Sequence, residues 1–471
     1  MKKTTAIHTR AHLVGIKGVA MAALAVYLTE SGVRVTGSDV PDEFPTDEEL
    51  MRLGVRVDVG FSPAHIEGKN RPDVVYYTGA HGGRDNPEVQ AALASGIPAF
   101  PHGEALGVLM KGSRQIVVSG SHGKTTTSAM IATLLTHAKL DPSYAIGCGT
   151  ISSRFAAGHK GASDWFVAEG DEYITDPGND RTPRFMWLTP EILVVTNVDF
   201  DHPDAYPDLQ AVQDAFLALQ KKTKVTIVNA DDKNSRVLLT GKNVLTYGYS
   251  PASDFRITHV GAGRERMFFR LEERGVFIAE FTIKVPGNHN VSNAVAALVA
   301  AHTAGVSWEV LREGLLEFTG TKRRFEKLGE AHGVTFYDDY AHHPAEVRAT
   351  LAAARLWYPK TRIIAVFQPH TYSRTKALLS EFAHAFGDAD TVILSDIYAS
   401  AREHDTLGLD GATLVTETAR YHTHVLYGKG YTEVKHHLDH EAHAGDVVIF
   451  MGAGDIYVWA KSLKHTYSET V

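Results

Sequence analysis

Gly120-Ser121-His122-Gly123-Lys124-Thr125-Thr126-Thr127 is the stretch on which the reading of this chain turns. It follows an apolar β-type run, Gln115-Ile116-Val117-Val118, and opens an Ala- and Leu-rich segment that predicts a helix over 125–138. A strand, a glycine loop, Lys-Thr and a helix together make a cradle for nucleoside phosphates. Backbone N–H groups and the helix N-terminus face the anion, Lys124 reaches the outer phosphates, and the Thr125 hydroxyl is placed to ligate Mg²⁺. The longer form of the motif has a glycine where Val118 stands, so the loop could by itself be a glycine-rich surface turn. The strand before it and the helix after it favour the phosphate loop. ATP is the first expected ligand, held by Gly120, Ser121, His122, Gly123, Lys124, Thr125 and Thr126.

Composition sets the frame around that loop. A chain of 471 residues can hold two to four domains, and 44% hydrophobic with 22% charged residues is ordinary for a globular protein. The formal charge of −8 gives no general attraction for nucleic acid. A single cysteine, Cys148, excludes an intrachain disulfide framework and suits a reducing compartment. Lys2 and Lys3 precede an apolar run at 18–28, but Arg10, His12 and Lys17 separate the two. The run is also too short for a membrane span. It reads as a helix following a glycine turn, in a cytoplasmic protein with no membrane partner.

Working outward, three α/β domains are expected: 1–112, 113–319 and 320–471. In the first, a strand entering Gly15-Ile16-Lys17-Gly18, a helix over 19–31 and a strand ending at Gly37-Ser38-Asp39 form a β-α-β unit. Such units bind nucleotides, with pyrophosphate at the helix start and the acidic residue near a ribose. Lys17 and Ala20 occupy two glycine positions of the dinucleotide fingerprint, so a nicotinamide-dependent dehydrogenase is a weaker alternative. In the second domain, apolar runs at 164–168 and 192–196 end in Glu169-Gly170-Asp171-Glu172 and in Asn197 with Asp201-His202. Carboxylates and an imidazole at strand ends beside a phosphate loop suit Mg²⁺; a solvated acidic turn is the plain reading of either cluster alone. A mixed β stretch over 255–283 follows. His289, Asn290 and Asn293 then open an Ala-rich helix, where they could cap the helix or bond an adenine edge.

The third domain begins around Gly320, and beside that start stands Lys322-Arg323-Arg324, a cationic group able to clamp phosphate or to serve as a basic linker. Strands at 334–337, 362–367, 391–395 and 447–451 alternate with helical stretches, a doubly wound pattern. Polar residues collect after three of them: Asp338-Asp339-Tyr340 with His342-His343, Gln368 with His370, Tyr372, Ser373 and Arg374, and Asp396 with Tyr398. His436, His440 and His443 could share a helix face, but a solvated surface is the simpler account.

This set of motifs resembles the Mur ligase family, the ATP-dependent enzymes that build the peptide stem of peptidoglycan. The resemblance covers nearly the whole chain. It is carried by the Gly120 to Thr127 run, Asn197 with Asp201-His202, His289-Asn290 with Asn293, Arg323-Arg324-Phe325 and the segment 338–344. It implies a Rossmann-like domain for a UDP-sugar, a central phosphate-loop ATPase and a Rossmann-like domain for the incoming amine. Folylpolyglutamate synthetases share the last two, and the N-terminal β-α-β unit argues against them. Segments 12–39, 368–375, 396–403 and 451–457 are similar to members that join L-alanine to UDP-N-acetylmuramate. The stretch 173–190 is longer than in those members. Glu172-Tyr173 and Arg184-Phe185 resemble members that attach the tripeptide L-Ala-γ-D-Glu-meso-diaminopimelate to the same sugar. Segment 368–374 carries more weight, because the amine is expected there.

The resemblance also implies roles. The acid is activated as an acyl phosphate, with release of ADP and then phosphate. Lys124, Glu169, His202 and Arg324 are the catalytic expectation. Thr125 and Glu169 would hold one Mg²⁺ and His202 a second. His289, Asn290 and Asn293 would contact the adenosine, and Arg324 the phosphates. Gly15, Lys17, Gly18, Ser38 and Asp39 would bind the UDP-sugar, and Tyr340, His343, His370 and Arg374 the amino acid. The expected partners are small molecules, with the protein a monomer or homodimer.

Overall fold

The computed structural model describes residues 9–263, 265–399, 403 and 405–469; Lys2 and Lys3, and residues 400–402 of the 396–403 segment, lie outside them. The chain forms two compact units. The first comprises the residues up to Val260 together with Phe269–Thr282 and Val291–Thr319; the second comprises Gly261–Phe268, Ile283–Asn290 and the chain from Gly320 on.

The N-terminal β-α-β unit forms as expected: strand Arg10–Val14, helix Val19–Glu30, strand Arg34–Asp39. The parallel sheet built on it runs Arg56–Val59, Arg34–Asp39, Arg10–Val14, Val74–Tyr77, Ala99–Pro101. Strand order therefore reverses on either side of Arg10–Val14. The crevice at such a reversal opens at the carboxyl end of the strand, here at the turn from Gly15 to Gly18. The apolar run at 18–28 has a structural reason. Met21 through Leu28 are all buried, so helix Val19–Glu30 has no wet face. Beyond its own sheet it packs on the strands Ser143–Ile151 and Phe155–His159 of the following domain. There Tyr27 lies 5.2 Å from Phe166, and a Cβ on Gly158 would strike the Ala23 carbonyl.

The phosphate-loop strand, Arg114–Ser119, sits inside a ten-stranded sheet between the parallel strands Ile192–Val195 and Trp165–Gly170. Register decides what stands beside the loop: Val118 pairs with Glu169, and Ser119 with both Gly170 and Val195. The stretch 173–190 contains a small antiparallel hairpin, Ile174–Asp176 with Asp180–Pro183, and a turn of 3₁₀-helix, Arg184–Trp187.

The second unit has a six-stranded sheet in the order Glu326–Ala331, Val334–Asp339, Val447–Met451, Ile363–Phe367, Thr391–Leu394, Val425–Tyr427. All neighbours are parallel except the first pair. Side chains alternate across a strand. Ile363, Ala365 and Phe367 enter one core while Ile364 and Val366 enter the other, so both faces are covered and the strand reads as continuously apolar. No helix among the described residues is long and apolar enough to cross a membrane.

Candidate functional site

The phosphate loop leaves its strand at Gly120 and enters the helix Lys124–His137 at Gly123. Gly120 and Gly123 have φ of 136° and 84°, where a side chain would be strained. A Cβ on Gly123 would also lie 2.5 Å from Asn293 Oδ1. Asn197 fixes the loop from the neighbouring strand end. Its Oδ1 accepts from His122 N (2.9 Å) and its Nδ2 donates to His122 O (3.0 Å). The Ser121 hydroxyl accepts from Asp199 N at 2.8 Å.

Carboxylates meet this loop. Lys124 Nζ donates to both oxygens of Glu172, at 3.0 and 2.7 Å. Burial works against the ammonium, but Glu172 and Asp171 outweigh it and hold the Lys124 pKa above its ordinary value. The Thr125 hydroxyl donates to Glu169 Oε2 at 3.2 Å, and Gly147 N donates to Glu169 Oε1 at 2.6 Å. Burial raises the Glu169 carboxyl despite the nearby Lys124. His202 Nε2 lies 3.7 Å from Glu172 Oε1, with its ring 4.9 Å from that of Tyr173. Arg184 Nη1 donates to Asp171 Oδ2 at 2.8 Å. Against the penalty of burial, Arg184 and Lys124 hold Asp171 down to about 2. A cavity of about 240 Å³ adjoins these groups, lined among others by Val19, Ala20, His102, Lys124, Glu169 and Arg184.

At the N-terminal crevice, Gly15 N donates to Ser38 O at 2.9 Å. Asp39, nearly fully buried and raised in pKa by that burial, accepts from Lys17 N at 2.7 Å. The Lys17 ammonium turns to Asp42 O (2.8 Å) and Asp47 Oδ1 (3.5 Å), which tie the segment after the second strand to the turn. Ser38 is buried and donates to Glu88 Oε2 at 2.5 Å; Gly18 starts the helix. Glu88 also accepts from Ser62 N and lies 2.6 Å from His65 Nδ1.

In the second unit, Arg323 is turned inward. It donates to Asp338 Oδ2 (3.2 Å) and Gly452 O (2.6 Å), and lies between the rings of Tyr340 and Tyr457. Burial pushes Asp338 up to about 7. Arg324 lies over Tyr340, 3.9 Å from Glu346. Both arginines meet the Tyr340 ring, but Arg323 is buried on Asp338 and Gly452 while Arg324 stays partly exposed beside Glu346. His343 caps helix Pro344–Trp357, accepting from Ala345 N at 3.3 Å. His370 is pushed down to about 4 by burial, with His342 and Arg374 adding to the effect. Glu403 accepts from Tyr372 N (2.7 Å) and Ser373 N (3.0 Å), holding the turn that carries Arg374. His289 is exposed, and Asn290 Nδ2 donates to Pro286 O at 2.7 Å. The His436 and His440 rings lie 4.4 Å apart, tilted by 56°, and no group of three or more histidine, cysteine or carboxylate side chains placed to hold a metal ion occurs among the described residues.

Three family models match in sequence order: the Mur ligase family catalytic domain at 10–114, the Mur ligase middle domain at 118–301 and the Mur ligase glutamate ligase domain at 323–454. The chain is 40% identical over 458 residues to the UDP-N-acetylmuramate–L-alanine ligase of Caldanaerobacter subterraneus subsp. tengcongensis, over 95% of each chain. It belongs to the Mur ligase family. A second relative of the same name, from Desulfitobacterium hafniense, is 37% identical over 96% of this chain and 98% of its own. The crystal structure of the UDP-N-acetylmuramate-alanine ligase of Thermotoga maritima superimposes with a TM-score of 0.85 at 27% identity, covering 98% of this chain and 100% of that one. As a Mur ligase the chain is an ATP-dependent ligase of three α/β domains, and the nearly complete coverage sets aside the dehydrogenase reading.

Of the expected residues, Lys124, Thr125, Glu169, His202 and Asn293 gather at the phosphate loop. Gly15, Lys17, Gly18, Ser38 and Asp39 gather at the N-terminal turn. Tyr340 and Arg324 meet in the second unit, and His370 and Arg374 lie near His342 there. Sequence reasoning did not assign Glu172, Arg184 or His102 to the site. Glu172 was visible as one of four residues in an acidic cluster. Its pairing with Lys124 depends on sheet register. His102 follows a short edge strand and carries no motif.

Proposed function

We propose that this chain joins L-alanine to UDP-N-acetylmuramate, using ATP to activate the acid. The observation that carries the reading is the convergence of Lys124, Thr125 and Glu169 at the end of strand Arg114–Ser119, in a chain that matches L-alanine-adding relatives almost end to end. A carboxylate acylates poorly because its leaving group would be oxide. Transfer of the γ-phosphoryl group to a carboxylate oxygen releases ADP and yields an acyl phosphate. The amine nitrogen then attacks the acyl carbon, the bond to the phosphate oxygen breaks, and the nitrogen loses a proton to give the amide. Positioning and neutralisation of developing charge are the protein's part in such chemistry.

Lys124 is assigned to the transferring phosphoryl group, exchanging Glu172 for phosphate oxygens. The Thr125 hydroxyl and Glu169 carboxylate are hard oxygen donors 3.2 Å apart, a set that fits Mg²⁺. They would hold the ion, which when bound supplies charge neutralisation on the phosphates. His202, beside Glu172, is the residue assigned to a second ion. Asn293, against Gly123, is assigned to the nucleoside. The turn from Gly15 to Gly18, at the start of a long buried helix, is assigned to the UDP-sugar pyrophosphate. Arg374 is assigned to the amino-acid carboxylate, with Tyr340 and His370. His343 serves that surface as a helix cap. ATP and UDP-sugar dependence and one buried cysteine fit the cytoplasm.

Phosphate release in the presence of ATP, Mg²⁺ and UDP-N-acetylmuramate tests the reading, comparing L-alanine, glycine, L-serine and L-Ala-γ-D-Glu-meso-diaminopimelate. L-alanine should give the highest kcat/KM. The hairpin Ile174–Pro183 in the long 173–190 stretch favours the tripeptide as the competing acceptor, and a preference for it would overturn the assignment to L-alanine. Hydrolysis indifferent to every amine would overturn ligase function altogether.

A further inference from the structure

Two buried polar atoms beside the phosphate loop have no hydrogen-bond partner among the described residues: His102 Nδ1 and Arg184 Nε. They come from separate domains of the family yet line the same cavity, with Lys124 and Glu169 on its wall. A buried polar atom without a partner is costly, so two residues that line one cavity and each carry such an atom point to a ligand that pairs them.

The surroundings hold both groups in place. Arg184 is anchored through Nη1 on Asp171 at 2.8 Å, which leaves Nε as a directed donor. His102 opens helix His102–Leu109, and that helix rides closely on the Arg184–Trp187 turn. A Cβ on Gly103 would lie 3.2 Å from Arg184 Cα, and one on Gly107 would lie 2.5 Å from the Trp187 carbonyl oxygen. The Gly107 contact excludes a side chain and the Gly103 contact leaves little room, so the backbones that carry His102 and Arg184 are closely packed. Burial first, then the Arg184 charge, lowers the His102 pKa to about 4, so the imidazole is neutral at neutral pH. Val19, Ala20, Leu106 and Leu188 give the wall an apolar part, and Asp171 lines the cavity beside Arg184 and Glu169. The cavity therefore has an apolar part, a neutral hydrogen-bonding imidazole, a guanidinium held by Asp171, and the phosphate-loop lysine with Glu169.

We propose that His102 and Arg184 select the acid substrate, pairing with the carboxylate-bearing ether substituent of the nucleotide sugar and aiming its carboxylate at the phosphate loop. This rests on the functional reading above. Arg184 Nε–H donates to an oxygen of that substituent, and the His102 imidazole bonds the same substituent or the adjacent sugar amide through Nδ1. Nucleotide sugars that lack the substituent leave both atoms unpaired, and discrimination against them follows.

Calorimetric titration of the full chain, with a non-hydrolysable ATP analogue and Mg²⁺ present, tests the assignment. The probes are UDP-N-acetylmuramate, UDP-N-acetylglucosamine and UDP. The unaltered protein should bind the first more tightly than the second. Arg184→Met and His102→Leu should each weaken UDP-N-acetylmuramate about 10- to 100-fold, leave UDP within about twofold, and narrow the preference between the two sugars. His102→Leu strands no charge, so it remains informative if Arg184→Met, which leaves Asp171 without its cation, lowers the melting temperature. Unchanged affinity in a folded variant, or equal loss for UDP, overturns the assignment. If the unaltered protein does not bind UDP-N-acetylmuramate, the functional reading falls and takes this assignment with it.

Discussion

The first compact unit contains two strand–glycine turn–helix devices that differ in what their carboxylates do. At the phosphate loop, acidic groups come from a neighbouring strand end and meet the loop from outside: Glu172 on Lys124 and Glu169 on Thr125. At the N-terminal turn, Asp39 ends the adjoining strand and accepts from the turn's own backbone at Lys17 N. The Lys17 ammonium is drawn away to Asp42 and Asp47. The first device leaves a cation and carboxylates in position to exchange partners with a charged ligand. The second is closed on itself and offers chiefly backbone and a helix start. The two devices thus differ in whether the acid from the adjoining strand end bonds the side chains of the loop or the backbone of the turn.

The largest test of this contrast is Lys124→Met. It should lower kcat by about 10³-fold, the scale of losing a preorganised charge-stabilising donor. It also strands the nearly fully buried Glu172, so thermal stability should fall. Adding Glu172→Gln should restore the melting temperature without restoring turnover. If the pair of changes regained activity, the exchange of partners by Lys124 would be wrong. Asn197→Ala should have the next effect. It removes both bonds to the His122 backbone, loosening the loop by ~1–2 kcal/mol and raising KM for ATP about tenfold with little change for the UDP-sugar. Substrate-resolved steady-state kinetics would show the split.

Asp171 supplies a pH test. Arg184 and Lys124 hold its folded pKa at about 2, below 3.8. Between those values the unfolded chain binds more protons, so stability rises with pH there and is lost as pH falls through about 2. With its side chain one-third exposed, the contribution above pH 4 is ~1 kcal/mol after screening. Asp171→Asn should flatten the acid-unfolding profile between pH 4 and 2, as read by circular dichroism. The smallest effect belongs to Lys17→Gly. Its ammonium binds neighbouring loop groups, so KM for UDP-N-acetylmuramate should rise only about two- to threefold and KM for ATP should not move. A tenfold rise would place the ammonium on the ligand and erase the contrast between the two devices.

Legibility in the sequence followed the range of the interactions. Strand runs such as 115–118, 192–196 and 447–451 and the helix after Lys124 were readable, because periodicity and glycine placement act within a few residues. Thr125 and Glu169 were readable as oxygen donors near one loop. The hairpin Ile174–Pro183 was not foreseen as structure, although its length was noticed. The cationic group at 322–324 was read as a unit, and the two arginines, which share the Tyr340 ring, differ in burial. Arg323 goes into the core and Arg324 to the half-exposed surface.

By itself the sequence determined the nucleotide-binding architecture, the phosphate loop and the membership of a ligase family. Those follow from local hydrogen bonding, turn stereochemistry and motif order. Tertiary structure alone decided that Glu172, forty-eight positions along the chain, holds Lys124, and that His102 and Arg184 line one cavity. Both depend on sheet register and on the close glycine packing of one helix against a turn. A one-residue slip in register would send every side chain of that strand to the opposite face.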